Sequence, residues 1–102
     1  MKVSFEEAFL LLKKWKDSEA VLHMLDVTGS TWFTGRITNL SEDTVVISDG
    51  GPVKRFRVLN QLSDASFEYE DSREIEGTSV HRYECSLIIS MSGLKFILSE
   101  TV

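Results

Sequence analysis

The residues best suited to chemistry in this sequence are a group of cations around one aromatic side chain. The group consists of Arg36, Lys54, Arg55, Phe56 and Arg57. Because lysine and arginine bind phosphates and an aromatic ring can stack on a base, it is a candidate nucleic-acid or partner contact. The simpler alternative, which we favour, points Phe56 into the core and leaves Arg55 and Arg57 on a solvated face or a protected sheet edge.

The stretch from residue 64 to residue 76 carries the opposite charge. Its six acidic residues are opposed only by Arg73, and they are Asp64, Glu68, Glu70, Asp71, Glu74 and Glu76. A solvated loop is the common explanation of such a run. It also offers a docking surface for a basic partner, or for the basic strand of a neighbouring copy of the chain.

Residue patterns typical of catalysis or metal binding do not occur. His23 and His81 have no cysteine, histidine or carboxylate at a metal-like spacing, and no zinc, calcium or phosphate-loop motif is present. Cys85, the one cysteine, falls on the apolar side of an alternating segment, so we expect a buried small hydrophobe and not a nucleophile. The sequence therefore predicts a non-enzymatic protein with no cofactor and no metal.

Length and charge narrow the class of protein further. A chain of 102 residues with 42% hydrophobic residues is expected to form one domain over residues 1–102. The net charge of −5 argues against a general binder of nucleic acid or of anionic membranes. Apolar runs are only a few residues long and no signal-peptide pattern opens the chain, which favours a cytoplasmic protein without a membrane partner.

The first predicted element of the fold is a helix over residues 5–16. Ser4 and Glu7 have the spacing of a capping box. Apolar residues then recur at the spacing of one helix face, at Phe5, Ala8, Phe9, Leu12 and Trp15.

From Ala20 onward the hydrophobic period changes to two, which predicts strands. The predicted strands cover residues 20–27, 32–40, 45–47, 53–59, 67–69, 83–91 and 94–98, and residues 71–79 are predicted to be a loop. Short turns make successive strands antiparallel. We therefore expect a mainly β fold, a strongly bent antiparallel meander of five to seven strands that curls into a small barrel, with a bend at Gly35 and the helix over an open face or end.

Residues 21–49 resemble the first motif of the Sm-like family. The matching positions are Leu25, Gly29, Phe33, Gly35, Ile37 and Leu40, followed by Val45-Val46-Ile47 as a third strand. The resemblance implies an Sm-like small barrel; an SH3-like or split-barrel topology from the same strands remains the alternative. Where the family often carries Asp and an RNA-reading Asn, this chain has Ser41 and Val45, and the Ile-Arg-Gly signature of the second motif is missing. It therefore resembles a divergent member whose RNA-binding residues do not carry over.

Two functions remain after these exclusions. The first is a non-enzymatic interaction or scaffold module that forms a homo-oligomer or binds a protein partner, since identical barrels that pair through their edges usually form closed assemblies. The second is an RNA-binding Sm-like protein that uses the cations around Phe56.

Overall fold

The computed structural model describes residues 1–51, 55–71 and 83–101, which form one helix packed on one antiparallel sheet. The helix α1 covers Phe5–Asp17. The strands are β1 (Lys2–Val3), β2 (Leu22–Asp26), β3 (Thr31–Leu40), β4 (Val45–Ser48), β5 (Phe56–Leu59), β6 (Ser66–Asp71), β7 (Tyr83–Met91) and β8 (Leu94–Thr101), with a 3-10 turn at Leu62–Asp64. The prediction of a mainly β fold with an N-terminal helix is confirmed.

Helix α1 begins at the predicted capping box. Ser4 Oγ accepts a hydrogen bond from the backbone N–H of Glu7 at 3.2 Å, and Glu7 Oε1 accepts one from the backbone N–H of Ser4 at 3.3 Å. These bonds satisfy donors that the first helical turn cannot pair internally. Ala8, Leu12 and Trp15 form the buried face, and each is only 1% exposed. The apolar stripe seen in the sequence is therefore the surface that packs on the sheet.

The eight strands lie in the order β1-β6-β7-β8-β2-β3-β4-β5 and every neighbouring pair is antiparallel. We call the side of the sheet that carries the core its inner face and the other side its outer face. One cross-strand row of the inner face joins Leu87 of β7, Leu98 of β8 and Met24 of β2, all of them buried. The alternation of apolar residues thus places one side of each strand in a core shared with α1.

The predicted meander is only partly right, and the predicted barrel is not found among the described residues. Strands β2 to β5 and strands β6 to β8 each run as consecutive hairpins, but β5 and β6 are not neighbours and β2 pairs with β8. Within the described residues the sheet ends at β1 and β5, which do not pair with each other, so it is not closed into a barrel. Alternation shows which side of a strand faces the core, but it carries no information about which distant strands exchange main-chain hydrogen bonds.

Strand β1 was not predicted from the sequence. Its two residues pair with β6, with Lys2 opposite Glu68 and Val3 opposite Phe67. Two residues are too few to show a period of two, which explains why eight strands are found where five to seven were expected. The predicted loop after Asp71 and the start of the predicted fourth strand lie outside the described residues.

Gly35 of β3 lies directly against the backbone of Ser48 at the end of β4. A Cβ atom at this position would lie 2.3 Å from the carbonyl oxygen of Ser48, a distance that no side chain tolerates. The pairing of the two strands then shifts register between Ile37 and Asn39, an irregularity that increases local twist. The glycine predicted to mark a bend therefore permits the close packing of two backbones.

Within the described residues, no helix combines the length and the apolar character that crossing a bilayer requires.

Candidate interaction site on strand β5

The register of the hairpin β4–β5 divides the predicted cationic cluster between two faces of the sheet. Arg57 pairs with Ile47, which pairs with Ile37, so Arg57 lies in an inner-face row. Phe56 pairs with Ser48, which pairs with Arg36, so Phe56 and Arg36 lie in an outer-face row. Lys54, the remaining member of the predicted cluster, lies outside the described residues.

The orientation that we favoured for Phe56 is therefore wrong. Its side chain is 58% exposed on the outer face, next to Val58, which is 41% exposed. The expectation failed because it needed the length of the turn between β4 and β5, and a change of one residue in that length exchanges the two faces. The apolar residues Val45 and Ile47, both buried, identify the inner side of β4. Only the pairing of Ile47 with Arg57 shows that Phe56 lies on the outer face.

Arg36 is engaged with the backbone that follows the helix. Its Nε donates a hydrogen bond to the carbonyl oxygen of Glu19 at 2.9 Å. Glu19 adopts a left-handed conformation with φ of 54°, directly after the C-cap Ser18. The arginine thus fixes the exit of α1 to the outer side of β3 while its charge remains exposed.

Arg55 is held by the turn that precedes it. Its Nε lies 3.0 Å from Asp49 Oδ2 in a salt bridge, and Asp49 Oδ1 accepts hydrogen bonds from the backbone N–H groups of Gly51 at 2.9 Å and Arg55 at 3.3 Å. The Gly51 N–H above all, and Arg55 in addition, hold the pKa of the Asp49 carboxyl below its ordinary value. The turn therefore contains its own counter-charge, and Arg55 is a structural cation.

Arg57 faces a cavity. Its guanidinium carbon lies 4.9 Å from the centroid of the Phe33 ring, a cation–π contact. Its Nη1 donates to the carbonyl oxygen of Phe56 at 3.3 Å. Beside it opens a cleft of about 220 Å³, which we call the β5 cleft, lined by residues that include Met24, Asp26, Thr31, Phe33, Arg57 and Phe96.

Strand β5 has an open edge within the described residues, since it pairs only with β4. The N–H of Asp49 donates to the carbonyl oxygen of Arg55 at 3.1 Å, so the main-chain groups of Arg55 point towards β4. Because main-chain groups alternate in direction along a strand, those of Arg55, Arg57 and Leu59 point to β4. The main-chain groups of Phe56 and Val58 therefore point to the open edge.

The remaining candidate residues have structural environments. Cys85 is buried, as predicted, with its Sγ 3.8 Å from Glu100 Oε1, and burial raises the pKa of its thiol. The ring of His23 meets the ring of Trp32 edge-on at 6.3 Å on the outer face. Trp32 is 61% exposed whereas Phe33 packs against the core, so these neighbours face opposite sides of the sheet. His81 lies outside the described residues.

The acidic stretch is described only in part. Glu68 and Glu70 lie on β6, near the end of the sheet opposite to β5, while residues 72–82 lie outside the described residues. In the part of the chain that the structure describes, no three side chains of the metal-binding types come together.

Comparison with protein-family models, with curated proteins and with solved structures finds no match to this chain. The geometry of β5 and of its cleft is therefore the basis for assigning a function.

Proposed function

We propose that this domain is a non-enzymatic interaction module that self-associates through strand β5. The observation that carries the proposal is the open edge of β5, which is bordered on the outer face by the exposed side chains of Phe56 and Val58. An unpaired strand edge is a template for a further strand, and proteins that do not use such an edge usually cover or charge it. Here the outward-facing residues of the edge strand are apolar.

The edge of β5 offers an incoming strand both main-chain hydrogen bonds and apolar side-chain contacts over a short length. Phe56 and Val58 present their main-chain donors and acceptors, and their side chains add apolar area on the same side. The partner strand would replace the 3.3 Å bond from Arg57 to the Phe56 carbonyl oxygen with a main-chain N–H. Because only four residues form β5, we expect weak association that depends on concentration.

The distribution of charge favours a head-to-tail arrangement of copies. Arg57, which forms no ion pair within the described residues, lies on β5 at one end of the sheet, and Glu68 and Glu70 lie near the other end. A second copy that brings its acidic end to β5 places opposite charges together, whereas pairing β5 with β5 brings arginines together. A head-to-tail contact forms a ring when its rotation closes.

Light scattering coupled to size-exclusion chromatography tests this proposal over a range of protein concentrations. We expect the apparent mass to rise with concentration and the rise to weaken in high salt. Val58→Pro removes an edge donor without removing a bond to β4, so it should leave a folded monomer. Leu10→Ala, which shortens an apolar residue that is 65% exposed on α1, is the control and should associate like the unmodified chain. A monomer at every concentration would refute self-association.

RNA binding is a second candidate, favoured by the exposure of Phe56 in one row with Arg36. A base could stack on the ring while the arginine meets a phosphate. A 260/280 nm absorbance ratio on the purified protein and titration with short U-rich and A-rich RNA at low salt test this candidate. Phe56→Ala should abolish binding while Trp32→Ala, which removes another exposed aromatic residue, should not. No binding of either RNA at low salt would dismiss this function.

An Sm-like origin and a cytoplasmic location belong to the same proposal. The Sm-like origin is supported by the order of a helix followed by β2 to β5, with Gly35 against the backbone of Ser48. The cytoplasmic location is supported by Cys85, which is buried as a free thiol, because cytosolic proteins seldom carry disulfides.

A further inference from the structure

The β5 cleft combines an apolar floor with two opposite charges at its rim. Met24, Leu59 and Phe96 form the floor and are 3%, 4% and 8% exposed. Arg57 stands on the β5 side and Asp26 on the β2 side. Apolar surface with a few polar groups directed at one point is the usual composition of a small-molecule site.

The guanidinium of Arg57 is held in place but not neutralised. Its contact with the Phe33 ring at 4.9 Å and its bond to the Phe56 carbonyl oxygen at 3.3 Å restrict its position. Within the described residues it forms no ion pair, not even with Asp26 across the cleft. Its remaining N–H groups have no acceptor among those residues. A positioned guanidinium with unused donors binds a carboxylate well, because the two planar groups can form paired hydrogen bonds.

Asp26 determines which anions fit. Its Oδ1 already accepts the backbone N–H of Gly29 at 3.1 Å, which positions the carboxylate at the start of the β2–β3 turn. A second negative charge in so small a space disfavours a dianion such as a phosphate monoester. The same carboxylate, with the hydroxyl of Thr31 beside it, attracts a ligand that carries an N–H donor as well as its own carboxylate.

We propose that the β5 cleft binds an apolar α-amino acid residue through its free carboxylate. The carboxylate pairs with Arg57, the nitrogen donates to Asp26 or Thr31, and the aliphatic side chain covers Met24 and Phe96. The volume of about 220 Å³ suits a ligand of this size, since it corresponds to roughly seven water molecules at about 30 Å³ each. The ligand is a free amino acid or the C-terminal residue of another chain, because both present this chemistry.

Nuclear magnetic resonance titration of the full chain distinguishes these sources. The probes are L-leucine, N-acetyl-L-leucine and L-leucinamide, and the signals followed are the methyl group of Met24 and the Nε–H of Arg57. We expect saturable shifts with at least one of the two carboxylates and none with leucinamide. Binding of leucine alone identifies a free amino acid as the ligand, whereas binding of N-acetyl-leucine identifies a chain terminus.

Variants at two arginines separate the cleft from general charge effects. Arg57→Gln should weaken binding about tenfold or more, as expected when a hydrogen bond to a charged group is lost. Arg57→Lys should weaken it less, because it keeps the charge but loses the planar contacts. Arg36→Gln, on the outer face, should bind normally. The spectra also report whether each variant is folded. No shift with either carboxylate up to about 10 mM, equal binding of leucinamide, or unchanged binding by Arg57→Gln would overturn the proposal.

Discussion

Trp15 of α1 donates a hydrogen bond from its indole Nε1 to Glu100 Oε1 of β8 at 3.1 Å, which joins two residues 85 positions apart in the chain. The same carboxylate oxygen lies 3.8 Å from the Sγ of Cys85. Trp15 is 1% exposed, so the bond satisfies an indole donor that water cannot reach. This contact fixes the end of the helix against the strand that pairs with both β2 and β7.

Truncation of the two tryptophans should therefore give very different results. We expect Trp15→Ala to lower the free energy of unfolding by about 3–5 kcal/mol, because it opens a large cavity and leaves Glu100 without the indole N–H. Trp32→Ala, at a position that is 61% exposed, should cost about 0.5 kcal/mol or less. Urea denaturation followed by circular dichroism measures both, and similar losses would contradict the assigned burial.

A methyl group at Gly35 should disrupt the pairing of β3 with β4. The added Cβ would lie 2.3 Å from the Ser48 carbonyl oxygen, so one backbone has to move, and we expect Gly35→Ala to cost about 2 kcal/mol or more. Gly51→Ala is the matched control, since its Cβ would meet its nearest atom, Asp49 Oδ1, at 3.5 Å, an ordinary contact. Thermal unfolding compares the two, and equal midpoints would show that the strands can separate at Gly35 without cost.

Acid should destabilise the protein through Asp49 and Asp43. The backbone N–H of Ser63 above all, and its hydroxyl, hold the pKa of the Asp43 carboxyl below its ordinary value, as the turn around Asp49 does for that residue. The unfolded chain, with aspartate pKa values of about 3.9, therefore binds protons that the folded chain does not. This stabilisation is complete above about pH 4–5 and is lost as the pH falls through the lowered pKa values.

Substitution of both aspartates checks this prediction. Asp43→Asn with Asp49→Asn should be less stable than the unmodified chain at pH 7, and the difference should shrink towards pH 2–3. Denaturant titrations across this pH range provide the measurement. A difference that stays constant with pH would show that the two carboxylates do not account for the acid sensitivity.

The hydroxyl groups of Ser86 and Ser99 form a buried pair on neighbouring strands, 2.8 Å apart. Ser86→Ala or Ser99→Ala alone leaves one buried hydroxyl without its partner, which should cost about 1–3 kcal/mol. The double variant removes both groups and should lose less than the sum of the single variants. A double-mutant cycle of unfolding free energies tests this, and strict additivity would show that the pair is not coupled.

The local features of this protein could be predicted because their causes lie within a few residues. The capping box depends on Ser4 and Glu7 alone, and the burial of Leu12 and Trp15 follows from helical spacing. The hairpin β7–β8 is recognisable from alternation around Ser92-Gly93, both of which adopt positive φ. In α1 and in the hairpin β7–β8, residues close together along the chain decide which side chains face the core.

The candidate site could be predicted only as a set of residues. Arg36 lies on β3, whereas Phe56 and Arg57 lie on β5 and Arg55 directly precedes it. Strand β4 separates β3 from β5, and the four residues form no single cluster. The register places Phe56 on the outer face of the sheet and Arg57 on the inner face. Asp49 forms a salt bridge with Arg55, and the carbonyl oxygen of Glu19 accepts a hydrogen bond from Arg36. Each of these outcomes depends on the length and shape of a turn, which residue types alone do not specify.

The sequence by itself determined the helix, the antiparallel hairpins and the buried cysteine. These follow from hydrogen bonds and side-chain directions that repeat within a turn or a strand. Only the tertiary structure decided that β8 pairs with β2, that Glu100 meets Trp15, that Gly35 lies against Ser48, and that Asp26 and Arg57 line one cleft. Such contacts join residues far apart in the chain, and the burial of whole faces selects them, since no local preference distinguishes one antiparallel partner from another.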